Sequence, residues 1–118
     1  MIGAMSSGDA RSLTAREFAV LRAMLDVQTA GIEELRAQAH VVTARDFPDG
    51  RPSIYLDVPG RPGGMAHLSN AEVVDRPGDG IALWTASGRL YALEWFGRED
   101  VGPAEFPEPS RLRVVLAE

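Results

Sequence analysis

The spacing of apolar residues in this chain changes once, near Val42. Before that point they recur at helical intervals; beyond it they fall on every second position, in short runs separated by glycine and proline. Helices collected at one end and strands at the other rule out an alternating α/β plan and a helical bundle. The expected fold is α+β, with two N-terminal helices packed on one face of an antiparallel sheet of about five or six strands.

The first helix has the clearest boundary. In "SLTAREFAVLRAMLDV", Thr14 can cap, Glu17 stands where it can reach back, and Leu13 and Phe18 bracket them, a capping box with a hydrophobic staple. Phe18, Leu21, Met24 and Leu25 form one stripe, which predicts a helix over 15–27. After the turn "QTAG" a second helix is expected over 31–39, with Ile32, Leu35 and Ala39 inward and Glu33 and Glu34 near its positive end. Residues 1–12, polar and small, read as a flexible segment, leaving 13–118 as a single domain.

Strands are expected in "HVVTARDF" and "SIYLDV", joined by a turn at Asp49-Gly50. Another is expected at about 70–75, whereas "PGRPGG" reads as a loop. "IALWTASGRLYALEWF" reads as a hairpin turning at Ser87-Gly88; without a bulge, Trp84 would face Tyr91 and Ala82 would face Leu93. "RLRVVLAE" closes the sheet with Leu112, Val114 and Leu116 inward. Tight turns make consecutive strands antiparallel.

Composition excludes several functions. The 118 residues carry a net charge of −5, and the 12 basic residues, all arginine, are scattered among 17 acids. Gripping phosphates needs several cationic contacts at once, so nucleic acid is not an expected partner. No run of apolar residues is long enough for a membrane span, and no leader pattern opens the chain. Cysteine is absent, which removes disulfides and thiolate chemistry and fits a cytoplasmic location. His40 and His67 lie too far apart to suggest a metal site, and no cofactor motif is present. Asp57 and Glu94 could pair as an acid and a base, but each reads more simply as decoration of a strand's polar face.

Two stretches carry a likeness to known proteins. "LTAREFAVLRAML" resembles the opening of MarR-type winged-helix regulators, which implies DNA binding; that family continues into a groove-reading helix, where this chain turns to strand periodicity. "GRLYALEWF", through Gly88, Leu90, Tyr91, Leu93 and Glu94, is similar to a strand of small bacterial α+β proteins, with Ala92 standing where an acid is frequent. Some of those proteins are immunity proteins, which implies occlusion of a toxin.

The aromatic strand residues supply a candidate interface: Tyr55, Asp57, Trp84, Tyr91, Glu94 and Trp95. Tyrosine and tryptophan are frequent anchors of interfaces, and the two carboxylates would suit a basic partner. The expected function is therefore non-enzymatic binding of another protein, an immunity-type occlusion being one version. The alternatives are a small-molecule or minor enzymatic domain with a pocket between helices and sheet, and then a DNA-binding regulator. A homodimer through a strand edge is compatible with each. The loop 99–108, with Phe106 among acids, is either a second contact surface or a connection whose ring turns inward.

Overall fold

A computed structural model describes residues 10–48, 52–58, 64–99 and 102–117. Two helices, α1 (Ala15–Met24) and α2 (Ile32–Gln38), precede six strands: β1 (Thr43–Asp46), β2 (Ile54–Asp57), β3 (Met65–Val73), β4 (Gly80–Ala86), β5 (Arg89–Phe96) and β6 (Leu112–Leu116). The strands form one antiparallel sheet in the order β1-β2-β5-β4-β3-β6. The fold is α+β, as the period change requires. The first nine residues and the Asp49-Gly50 turn lie outside the described residues, as does most of "PGRPGG".

The capping box at α1 is complete. Thr14 Oγ1 accepts from the Glu17 amide at 3.1 Å, and Glu17 Oε1 accepts from the Thr14 amide at 2.9 Å. Arg11 grips the same carboxylate with both terminal nitrogens, at 2.8 and 2.9 Å. Burial pushes the Glu17 carboxyl up, but the Arg11 guanidinium and the Thr14 amide outweigh it and hold the group below its ordinary value. The helix ends at Met24, short of the expected residue 27: the Leu25 and Asp26 amides tighten to Arg22 O and Ala23 O at 3.2 and 3.1 Å, and Arg36 caps the exposed end, donating to Leu25 O at 3.1 Å and to Val27 O at 3.0 Å. Gly31, at φ +81°, then makes the left-handed turn that opens α2.

Both helices lie on one face of the sheet. Val20, Leu21, Met24, Ile32 and Leu35 bury against Ala44, Ile54, Leu56, Ala71, Ile81, Leu83 and Leu93. Each large aliphatic side chain so covered contributes about 1.5–3 kcal/mol. Fully buried Ser69 donates to Met24 O at 2.8 Å, fastening β3 to the end of α1. Gln38 fastens α2 to the β4–β5 turn, donating to Gly88 O and accepting from the Leu90 amide, both at 2.9 Å. Phe106 is fully buried in this core and its carbonyl accepts from Arg16 at 2.8 Å, so the acidic loop turns its ring inward.

Two bulges depart from simple alternation. Ser87 and Gly88 both have positive φ, 51° and 79°, the backbone of a tight two-residue hairpin turn. Beyond that turn Thr85 pairs with Leu90, but Trp84 pairs with Ala92 and Ala82 with Glu94, so Tyr91 is an extra residue. The register without a bulge is thereby corrected. In β3 the ladder shifts between His67 and Ser69, and the strand starts at Met65 instead of near residue 70. That irregularity breaks the two-residue period and hides the first half of the strand from a sequence reading.

Candidate protein-binding face

The helices cover one face of the sheet, and among the described residues no element covers the other. Opposite residues on neighbouring strands share a face, so the register maps the uncovered one. Arg45 pairs with Tyr55, Tyr55 with Ala92, Ala92 with Trp84, and Trp84 with His67. This row crosses five strands, β1 to β3 in the sheet order. At about 4.8 Å per strand interval it spans roughly 19 Å. A second row runs Glu94, Ala82, Asn70, Val115.

The rings of the first row are organised. Phe47 stacks on Tyr55 with centroids 4.4 Å apart, and Tyr91 meets Tyr55 edge-on at 6.0 Å. His67 stacks on Trp84 at 4.6 Å and donates through Nε2 to Asn70 Oδ1 at 2.8 Å. Alanine between the rings lets them lie low over the sheet: Ala92 and Ala82 are buried although they point away from the helices. The rings themselves are half-buried.

The charges on the face are arranged unequally. Arg45 holds Asp57 through Nε at 2.7 Å and Nη2 at 3.3 Å, and its guanidinium lies 5.0 Å from the Tyr55 centroid. The Asp57 hydrogen bond raises the Arg45 pKa further, so this end of the row stays a closed ion pair. At the other end the Trp84 indole donates to Glu94 Oε1 at 3.0 Å. That donor is neutral, so the bond orients the carboxylate without pairing it to an opposite charge.

Tyr55, Asp57, Trp84, Tyr91 and Glu94 thus share the open face. Trp95 does not. It pairs with Ile81, a fully buried residue of the core, and packs on the helix side with Leu93. Strict alternation places Tyr91, Leu93 and Trp95 together; the bulge beside Trp84 turns Tyr91 to the opposite face and leaves Trp95 behind. Phe47, Arg45 and His67 join the face without having been singled out for it. The alternation of Arg45 and Phe47 with buried Ala44 could have shown those two, whereas the bulge near His67 is invisible in sequence.

Two hollows bear on the small-molecule alternative. One, of about 230 Å³, lies at the end of the sheet among Val73, Arg76, Asp79, Trp95, Pro107 and Arg111. The other, of about 560 Å³, lies on the outer side of α1 and α2, between Arg22, Asp26, Arg36 and His40. Neither is enclosed between helices and sheet, where that alternative placed its pocket. Among the described residues no group of three or more His, Asp or Glu side chains is placed to hold a metal, and no helix is long and apolar enough to cross a membrane. Comparison with protein-family models, with curated proteins and with solved structures yields no match for this chain.

Proposed function

We propose that this chain is a protein-binding module whose open sheet face docks a cationic protein. The observation that carries the reading is the aromatic row Tyr55, Ala92, Trp84, His67, with Tyr91 beside it and Glu94 one row away. An arginine or lysine of the partner laid against Trp84 or Tyr91 gains about 0.5–2 kcal/mol from the ring face. The Glu94 carboxylate supplies the opposite charge, and the chain's net charge of −5 speeds the encounter. Asp57 contributes less than its sequence position suggests, because Arg45 already occupies it.

The size of the face limits the complex. Even the whole six-stranded face, five intervals of about 4.8 Å across and roughly 20 Å along the strands, gives only on the order of 500 Å², below the ~800 Å² per partner of a standard interface. The partner would therefore also touch neighbouring loops, or bind transiently. Occlusion of a toxin by an immunity-type protein is the concrete version, in which a basic active surface is covered. DNA binding fits worse: β1 begins at Thr43, where a groove-reading helix would have to start.

The test is affinity capture from the source organism with the wild type, Tyr91→Ala, Glu94→Gln and Arg22→Ala, the last on the exposed side of α1. A partner held by the wild type and Arg22→Ala but lost by the two face variants supports the reading. Capture unaffected by both face variants overturns it.

A further inference from the structure

We propose that β6 is a pairing edge at which a second copy of this chain adds, antiparallel about a two-fold axis at Val114, joining two six-stranded sheets into one. The two ends of the sheet are treated differently. At the β1 end, Arg11 exchanges two backbone hydrogen bonds with Ala44, of 2.9 and 2.7 Å, and so covers part of that edge. At the other end β6 pairs with β3 on one side, and among the described residues nothing pairs with its other side.

The register fixes which groups are open. Arg111 O accepts from the Val74 amide and Ala117 N donates to Leu68 O, each at 2.9 Å. In an antiparallel ladder the residues that bond to one neighbour alternate with those that face away. Arg113, Val115 and Ala117, with the Arg111 carbonyl, therefore face β3, while Val114 and Leu116 turn both backbone groups outward; of Leu112 only the carbonyl is open, because its amide donates to Pro109 O. An open edge of this kind is normally blunted by proline, by a bulge or by unpaired charge. β6 has neither proline nor bulge, and its arginines are engaged within the chain: Arg113 pairs with Glu72, and Arg111 with Asp75 at 3.0 Å. Val115 and Leu116 stand 52% and 41% exposed.

A second copy suits this edge because the strand is complementary to itself. About an axis at Val114, Leu112 falls opposite Leu116 of the other copy, and Val114 falls opposite its own equivalent. On the open side each Arg113 falls opposite a Val115, so no like charges are directly opposed. An axis one residue earlier would set Arg113 against Arg113, and one residue later would leave Leu112 with no β6 residue opposite. The pairing at Val114 uses the whole strand and forms up to about four hydrogen bonds across the axis, two between the Val114 residues and one from each Leu116 amide to the other copy's Leu112 carbonyl. It is separate from the aromatic row and leaves Trp84 and Tyr91 free for a partner.

Val114→Pro gives a selective test. Its amide points outward, so proline removes a donor that the single chain does not use while blocking the pairing. The measurement is mass by light scattering across a dilution series, for wild type and V114P. The expected result is a wild-type dimer that dissociates on dilution and a folded V114P monomer, with dimer affinity lowered by at least about ten-fold. A wild type that is monomeric throughout, or a V114P that dimerises as well as wild type, overturns the proposal. Should V114P fail to fold, wild-type amide exchange decides. Val114 and Leu116 must then exchange more slowly in concentrated than in dilute solution, and equal rates overturn the proposal.

Discussion

Replacing Phe106 by alanine separates the two roles open to the acidic loop. If the loop were a contact surface, the ring would be dispensable to folding. The ring is instead 0% exposed and packed in the main core, while its carbonyl is held by Arg16 through a bond that the substitution leaves in place. Truncating a fully buried phenylalanine costs about 3–5 kcal/mol. At about 2.1 cal/mol/K per residue, a chain of this length has an unfolding entropy near 250 cal/mol/K, so 1 kcal/mol moves Tm by roughly 4 °C. Phe106→Ala should therefore lower Tm by roughly 12–20 °C. Thermal unfolding followed by circular dichroism reads the shift directly. A drop of less than about 4 °C would mean that the ring does not complete the core, and the loop would return as a candidate contact surface.

Two other changes lose their cost as pH falls, the first because wild type weakens and the second because the variant recovers. Glu17 has a depressed folded pKa, so its stabilisation is present above the ordinary glutamate range and lost as pH falls through the depressed value. Glu17→Gln should cost about 0.5–2 kcal/mol at neutral pH in chemical denaturation, with the gap to wild type closing in acid. Gln38→Glu keeps the acceptor for the Leu90 amide but turns a second oxygen toward the Gly88 carbonyl, for a cost of about 1–3 kcal/mol at neutral pH. Protonation restores a donor there, so the folded pKa of the new carboxyl is raised and the deficit shrinks as pH falls, measurable in the same titration. Gly80→Ala should destabilise more than an ordinary strand substitution, since its Cβ would meet the Ala71 carbonyl oxygen at 2.4 Å, and a Tm equal to wild type would contradict that crowding.

Much of the framework was legible because it is local. Thr14 and Glu17 announce a helix start within one turn of chain, Ser87-Gly88 announces a hairpin, and the loss of helical spacing after Val42 announces the sheet. The remainder depends on contacts distant in sequence. Arg36 caps the end of α1 from another helix, and β2 pairs with β5 across the whole β3–β4 hairpin. The candidate site shows the same division. Tyr55 and Asp57 alternate cleanly with buried Ile54 and Leu56, so their shared face could be read from spacing. Tyr91 and Trp95 could not be separated that way, because one extra residue in β5 inverts Tyr91 relative to Leu93. Phe106 carries no periodic signal at all, being a lone ring in a proline-rich loop.

The opposed tryptophans allow a direct test of the docking face. The sequence has two, Trp84 on the open face and Trp95 on the helix side, and each indole N–H gives its own resonance in a nitrogen-15 correlation spectrum. Titrating the captured partner into labelled protein should shift or broaden the Trp84 indole signal while Trp95 stays in place. Movement of Trp95 with Trp84 unchanged would contradict the account and would put the contact at the other side of the sheet.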